Sequence, residues 1–175
     1  MAEPMNERDW NDRPLALEEA IELKGVKIRR TNPGHMMLLS GKLSAGLAGL
    51  SLTSEPVGFG GEVGKTKKVI RIGIDSALCV TGKPAKLQPG WYKPGFAVSL
   101  ADGKYAALKI SGKNAGAVLA QGTGHNLEQS SRSAAVEFAG CVVLMVKTGS
   151  AWLLFVETPM LTYVTNWFRG VGASV

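Results

Sequence analysis

Few side chains of this chain are of the types that carry acid–base or nucleophilic chemistry. Its 175 residues include two histidines, His35 and His125, and two cysteines, Cys79 and Cys141. His125 lies in the Gly-rich stretch Gly122–Asn126, where a flexible turn can present the imidazole as a general base or a ligand contact. The alternative, a structural or solvated turn histidine, is the more frequent situation. Spacing shows no carboxylate pair and no Ser–His–Asp arrangement, so the sequence names no catalytic set.

The two cysteines predict buried thiols rather than a reactive centre. Cys79 and Cys141 both sit in apolar stretches, and no basic side chain adjoins either one in sequence. Two cysteines exclude a disulfide scaffold and a four-cysteine zinc site, and two histidines exclude a His-rich metal site. Nucleophilic catalysis therefore lacks support.

The tripeptide Gly64-Lys65-Thr66 has the letters of a phosphate-binding loop without its context. That motif needs a glycine five positions before the Gly-Lys pair, and Phe59 stands there. The motif also leads into a helix whose amides hold the phosphates, whereas the alternation of Lys68–Ile74 predicts a strand. Gly58 and Gly60 do not complete a dinucleotide-binding spacing with Gly64, which comes one residue too late. We interpret this stretch as a flexible Gly-rich loop.

Charge is distributed unevenly along the chain. The formal net charge is +6, yet residues 1–22 are mostly acidic and residues 24–86 mostly basic. The acidic arm can fold back, remain solvated or reach a basic partner, and the first two are favoured. No aromatic residues interleave with the basic ones as stacking platforms, which favours a solvated face or a surface docking on an acidic subunit over nucleic acid. These basic residues are Lys24, Lys27, Arg29, Arg30, Lys65, Lys67 and Lys68.

Hydrophobic periodicity predicts many strands and few helices. Strands are predicted at Val26–Arg30, Met36–Leu43, Lys68–Ile74, Ala77–Val80, Phe96–Leu100, Tyr105–Ile110, Ala135–Val146 and Ala151–Val156. The turn Ala101-Asp102-Gly103 indicates a hairpin between the strands that flank it. Helices are predicted at Leu15–Leu23, Ala45–Leu52 and Asn114–Ala120, followed by a C-terminal helix that begins at Thr158-Pro159 and stops at Gly170.

These elements predict an α+β fold: a mainly antiparallel sheet with short helices and a C-terminal amphipathic helix. Residues 1–23 form an acidic arm with a short helix, and residues 24–175 form a single domain. Because the helices are few and short, they cover one face of the sheet. We expect a protein partner to cover the other apolar face, the alternative being that the loops Ser54–Lys68 and Gly82–Gly95 fold over it.

The expected compartment is the cytoplasm. Met1–Leu23 lacks the apolar core of a secretory signal. The longest apolar run, Ala139–Val146, falls well short of the ~20 residues that a membrane span needs. No membrane partner is expected.

Four stretches resemble the gamma subunit of heterotetrameric sarcosine oxidase, which is related in topology to the folate-binding glycine-cleavage T-protein. Pro14-Leu15-Ala16 is similar to the opening of that family, and Ile72–Gly82 to its strand–turn–strand segment. Leu108–Gly122, followed by Asn126-Leu127, resembles its strand, Gly turn and short helix. The last strand pair and the helix Met160–Phe168 resemble its C-terminus.

The resemblance implies a small subunit of an oxidoreductase complex that acts on CH–NH donors. Such a complex oxidatively demethylates sarcosine or a similar N-methyl amine, with FAD, FMN, NAD and tetrahydrofolate in its larger flavin- and folate-binding subunits. This chain would then hold no catalytic, cofactor-binding or metal-binding residue of its own. Its sheet and C-terminal helix, around Trp152, Phe155, Tyr163 and Trp167, would belong to the core or to the docking face.

Two other functions stay open. The basic segment 24–86 motivates a free-standing folate-binding or RNA-associated protein of related fold. The third hypothesis is an enzyme in its own right that uses His125 or Cys79.

Overall fold

The computed structural model describes residues 13–172, which form antiparallel strands and short helices. The strands are β1 (Ala20–Leu23), β2 (Val26–Thr31), β3 (His35–Gly41), β4 (Lys68–Arg71), β5 (Ser76–Thr81), β6 (Gly90–Tyr92), β7 (Phe96–Leu100), β8 (Tyr105–Ser111), β9 (Ala135–Phe138), β10 (Cys141–Thr148) and β11 (Ala151–Glu157). The helices are α1 (Leu43–Gly49), α2 (Ala115–Leu119) and α3 (Leu161–Gly172), with a 3-10 turn at Thr158–Met160 before α3. The predicted α+β class is confirmed.

The strands form two sheets rather than one. Sheet 1 has six strands in the order β1-β2-β8-β11-β10-β9, and sheet 2 has five in the order β4-β5-β3-β7-β6. Every strand of sheet 2 lies between residues 35 and 100. Sheet 2 is therefore a continuous insertion between β2 and β8, which pair directly with each other in sheet 1, Thr31 standing opposite Ala107.

The two sheets share an apolar core, here called the inter-sheet core. Alternate side chains of β8, β10 and β11 meet those of β3, β4 and β5, because successive residues of a strand point to opposite faces. Its buried members are Met36, Val63, Ile70, Leu78, Val80, Ala101, Tyr105, Ala107, Ala134, Leu144, Val146, Leu153 and Phe155. The expectation that a partner must cover the second sheet face is therefore wrong, since the chain covers it with its own second sheet.

The outer faces of both sheets are also covered from within the chain. On sheet 1, the buried residues of α2 and α3 share one cluster with the alternate residues of β2, β8, β10 and β11. On sheet 2, Leu47 of α1 packs with the outward residues of β3, β5 and β7. The predicted loops contribute as well: Phe59 joins the first of these clusters, and Leu87 packs against the second.

Sheet 1 extends past the inter-sheet core at the β1–β2 end, and the side chains there are charged. Lys27 pairs with Glu22 at 2.6 Å across the two strands. Arg29 forms an ion pair with Glu18, just before β1. At this end, the part of the face that sheet 2 leaves open is therefore polar and suited to water.

The predicted helix at Leu15–Leu23 is wrong: the segment is a turn followed by β1. Glu18 has a left-handed φ of 64°, which ends any helix there. Its N–H donates to the carbonyl of Arg30, and the N–H of Arg30 donates to Glu19, so β2 supplies the hydrogen bonds. A short isolated helix is marginal in water, and pairing with a neighbouring strand wins. The other acids of the predicted arm, before residue 13, lie outside the described residues.

The predicted hairpin around Ala101-Asp102-Gly103 is also wrong. Its two strands are β7 and β8, which belong to different sheets, so the chain crosses between the sheets at this turn. Asp102 accepts a hydrogen bond from the N–H of Met36 on β3 instead of closing a β7–β8 pair.

Several predicted boundaries are corrected. The strand predicted at Met36–Leu43 ends at Gly41, because α1 begins at Leu43, and the loop predicted at Gly82–Gly95 contains β6. The strand Ala135–Val146 is broken into β9 and β10 by the two-residue turn Ala139-Gly140, whose φ angles of 50° and 77° fit a type I′ hairpin. The strand from Lys68 ends at Arg71, and Ile74 in the following turn is 95% exposed. The C-terminal helix does not stop at Gly170, because α3 runs to Gly172.

Candidate functional site

A cleft lined by three lysines lies where the inter-sheet core opens at the ends of several strands. Its walls carry Lys65, Lys68 and Lys109, together with the β2–β3 and β10–β11 turns. Its floor is apolar and includes Leu153 and Phe155 of the inter-sheet core. The cavity volume is about 460 Å³. We call this depression the lysine cleft.

Lys68 is the least solvated cation of the lysine cleft. Its Nζ donates a hydrogen bond to the carbonyl oxygen of Lys65 at 2.9 Å. Burial lowers the pKa of Lys68, because desolvation disfavours the charged ammonium. The one carboxylate in the lining, Glu62, accepts the N–H of Gly149 at 3.2 Å. This hydrogen bond joins the β10–β11 turn to the Gly-rich loop that precedes β4. No described carboxylate lies within ion-pair distance of any lysine of this cleft.

The predicted basic segment therefore does not form one patch. Lys27 and Arg29 are neutralised by carboxylates of the preceding turn and strand, and Arg30 donates to the carbonyl of Leu15 at 2.7 Å. Lys65 and Lys68 enter the lysine cleft, while Lys67 points to a second pocket.

That second pocket has a volume of about 610 Å³ and is lined by Lys67, Lys83 and Lys86 above Met37 and Leu52. Helix α1 ends at its rim.

His125 lies in the turn that follows α2, as predicted. Its ring nitrogen Nδ1 lies 3.3 Å from the hydroxyl of Thr123, and its N–H donates to the same hydroxyl at 3.2 Å. The ring packs against Phe59 with 5.5 Å between centroids. Glu137 lines the same shallow depression. These contacts describe a turn histidine held by its neighbours.

A second histidine contact escaped the sequence reasoning. His35 Nδ1 lies 3.2 Å from Oδ2 of Asp102, whose Oδ1 accepts the N–H of Met36 at 2.5 Å. The hydrogen bond from Met36, with a smaller contribution from His35, lowers the pKa of Asp102. Within residues 13–172 no hydroxyl or thiol hydrogen-bonds to the other ring nitrogen, so the pair has no nucleophile to activate. Asp102, which follows β7, instead holds the end of sheet 2 against the start of β3.

Both cysteines are buried thiols, as predicted. Burial raises the pKa of Cys79 to about 12 and also raises the pKa of Cys141. Cys79 lies in the cluster outside sheet 2, and Cys141 in the cluster outside sheet 1. Neither provides a thiolate near neutral pH.

The Gly-rich loop has a structural explanation. Phe59 donates its N–H to the carbonyl of Ser133 and accepts the N–H of Ser131, so the loop pairs with the segment before β9. A Cβ on Gly58 would lie 1.9 Å from the carbonyl oxygen of Ser131. Glycine is needed there because the two backbones approach closely. The loop leads into strand β4 and not into a helix, which agrees with the rejection of the phosphate-loop motif.

The aromatic residues expected in the core or the docking face divide between the core and the exposed surface. Trp152 and Phe155 are buried, and Trp167 packs edge-on against Phe138 with 4.9 Å between centroids. Tyr163 is 40% exposed. Trp91, which the sequence reasoning did not single out, is 71% exposed on β6, the edge strand of sheet 2.

The described residues offer neither a metal site nor a membrane-spanning helix. Between residues 13 and 172, no group of three His, Cys, Asp or Glu side chains is placed to hold a metal ion. Nor does any helix in this range have the length and apolar character needed to cross a bilayer.

Comparison with known proteins gives a fold likeness. No protein-family model matches the chain, and no curated protein matches its sequence. A solved chain of the heterotetrameric sarcosine oxidase from Corynebacterium sp. U-96, in complex with pyrrole 2-carboxylate, is similar with a TM-score of 0.66. The match covers 90% of this chain and 88% of that chain at 18% sequence identity. The two chains therefore share a fold, as the resemblance implied.

Proposed function

We propose that this chain is the small, non-catalytic gamma subunit of a heterotetrameric complex that oxidatively demethylates sarcosine or a similar N-methyl amine. In this proposal FAD, FMN, NAD and tetrahydrofolate belong to the larger subunits, which carry out the chemistry. The small subunit contributes surfaces that hold the assembly together.

One observation carries the proposal: the fold match extends over nearly the whole of both chains. The match covers 90% of this chain and 88% of the sarcosine oxidase chain, so the likeness includes both sheets and the helices that cover them. Similarity of fold alone is an analogy for function, so the complex has to be tested directly.

The reactive side chains of the described region suit a non-catalytic role. His125 and His35 are held by Thr123 and Asp102, and the Cys79 thiol is buried. The earlier reason for a partner, an uncovered apolar sheet face, no longer supports the proposal. Partner contacts would instead use exposed features such as Trp91 and the lysine cleft.

The test is co-purification under native conditions followed by native mass spectrometry. The tagged chain is expressed in its own cells, and we expect it to carry the larger flavin- and folate-binding subunits, with flavin absorbance in the complex. The same preparation should oxidise sarcosine or another N-methyl amine and release the one-carbon unit. A chain that elutes alone and monomeric, with no flavin-bearing subunit, would contradict the proposal.

The lysine cleft also motivates the second candidate, a free-standing folate-binding or RNA-associated protein. Lys65, Lys68 and Lys109 surround an apolar floor, which suits an anion with an apolar body. Titration of the isolated chain with tetrahydrofolate and with RNA across a salt series separates these ligands, because phosphate contacts give a steep dependence on salt. The absence of binding at low salt would remove this candidate.

A further inference from the structure

The open part of sheet 1 shows how this chain neutralises cations when it has carboxylates available. Lys27 and Arg29 of β2 point to the face that carries the inter-sheet core elsewhere, and Glu22 and Glu18 pair with them. On the same face, Lys109 of β8 stands directly opposite Arg29. Like charges directly opposite each other destabilise a sheet. Glu18 neutralises Arg29, and no described carboxylate forms an ion pair with Lys109.

Lys68 adds to the lining of the same cleft a second cation without a described counter-ion. Its half-buried ammonium has lost part of its hydration and bonds to the carbonyl of Lys65, without a described counter-ion. A partly desolvated charge is costly unless an opposite charge compensates it. A carboxylate in the cleft would compensate Lys68 and Lys109 together.

The shape and lining of the lysine cleft favour a polypeptide over a nucleic acid. Its floor is apolar, but Phe155 is only 1% exposed, so no aromatic ring is available for a base to stack on. Glu62 in the lining accepts the N–H of Gly149 and acts equally on an incoming phosphate or carboxylate, so the absence of a stacking surface is what favours the polypeptide. An acidic peptide can place its carboxylates beside the lysines and an apolar side chain over Leu153.

From these observations we propose that the lysine cleft receives an acidic segment of a partner protein, whose carboxylates pair with Lys65, Lys68 and Lys109. This inference rests on the proposed function, because the partner is taken to be a larger subunit of the same complex. The cleft would then be a docking site, and charge complementarity would set the orientation of the two chains.

The first test is carbodiimide cross-linking of the intact complex, which joins a lysine amine to a carboxylate in direct contact. We expect peptide mapping to find Lys65, Lys68 or Lys109 joined to Asp or Glu of a larger subunit. Cross-links from Lys83 and Lys86 alone would overturn the inference, since these lysines line the second pocket.

The second test uses matched charge reversals in the full chain. The cleft variant carries Lys65→Glu and Lys109→Glu, both at exposed positions, and the control carries Lys83→Glu and Lys86→Glu. We expect the cleft variant to bind the other subunits at least about tenfold more weakly, and the control less than about threefold more weakly. Added salt should weaken the wild-type complex and narrow this difference.

Further outcomes separate the inference from the proposed function. Normal assembly of the cleft variant, or equal weakening by both variants, overturns the inference and leaves the proposed function standing. A wild-type chain that captures no larger subunit overturns both. Loss of the captured material on nuclease treatment identifies RNA as the occupant and overturns the acidic-segment assignment. If the cleft variant does not fold, Lys65→Gln with Lys109→Gln keeps the comparison, with an expected weakening of about threefold or more.

Discussion

The substitution Phe155→Ala tests whether the two sheets pack on each other in the isolated chain. Phe155 is 1% exposed and belongs to the inter-sheet core, where Leu144 and Ala107 flank it on the neighbouring strands. Truncating a fully buried phenylalanine removes its transfer free energy and leaves a cavity, which together cost about 3 to 5 kcal/mol. For a chain of this size, that loss lowers the melting temperature by about 6 to 20 °C.

The assay is urea unfolding of the purified, partner-free chain, monitored by circular dichroism. The matched control is Val142→Ala on β10. By strand alternation Val142 points to the same face of sheet 1 as Leu144, but it is 67% exposed because it lies beyond the cover of sheet 2. We expect the control to stay within about 0.5 kcal/mol of wild type.

A small effect would refute the packing argument. If Phe155→Ala cost less than about 1 kcal/mol in the isolated chain, the inner face of sheet 1 would be open in solution. A partner would then have to cover it, as the sequence first suggested. A large loss of unfolding free energy in Phe155→Ala, with no comparable loss in Val142→Ala, establishes that the chain covers its own sheets.

Three further predictions follow from single residues. Cys79 should resist iodoacetamide at pH 8 in the folded chain and alkylate fully in urea, because burial holds the pKa of its thiol at about 12; rapid labelling of the native chain, read by mass spectrometry, would contradict this. Asp102→Ala should lose about 1 kcal/mol of unfolding free energy at pH 7, the modest value of an exposed, charge-assisted hydrogen bond. Because folding lowers the pKa of this carboxyl below its ordinary 3.8, its contribution is present above that pH and disappears as pH falls through the folded-state pKa, so denaturation curves of variant and wild type should converge in acid. Gly58→Ala should lower the free energy of unfolding by about 2 to 3 kcal/mol, because the new Cβ would meet the carbonyl of Ser131. Gly116→Ala in α2 has open space around the new Cβ and should stabilise the chain by about 0.5 to 1 kcal/mol. Thermal melts that rank the two variants in the opposite order would show that the loop is placed differently.

Local periodicity was a good guide to where strands lie and a poor guide to which strands pair. The alternation in Val26–Arg30 and the apolar run Ala151–Val156 mark β2 and β11. The turn at Asp102 has the composition of a hairpin, yet the chain uses it to pass from one sheet to the other. Turn residues indicate a change of chain direction, but they do not indicate which strand the following strand will pair with.

The second sheet could not be predicted because an apolar strand face looks the same whatever covers it. The residues of β11 alternate between the cluster under α3 and the inter-sheet core, and both positions are apolar. Ala151–Val156 is apolar at every position, and a strand that is apolar on both faces is covered on both sides. This pattern does not distinguish a partner from another part of the same chain.

The candidate cleft was half visible in the sequence. Lys65 and Lys68 stood out within a basic segment, but Lys109 joins them only because sheet 1 packs on sheet 2. The contact between His35 and Asp102 was missed for the same reason, since its two residues are distant in the chain. Side chains that meet across strands need the topology before they can be grouped.

The insertion of sheet 2 between two directly paired strands has a consequence for the order in which the molecule forms. Bringing β2 and β8 together across an unstructured stretch of 35–100 would require closure of a long loop, at a cost in chain entropy that grows with its length. If residues 35–100 become compact first, the hydrogen bond from the N–H of Met36 to Asp102 brings the two ends of this segment side by side. The outer strands then meet across a short gap. We therefore expect residues 35–100 to form early during synthesis, and the strands and helices of 20–31 and 105–172 to close around them as the final step.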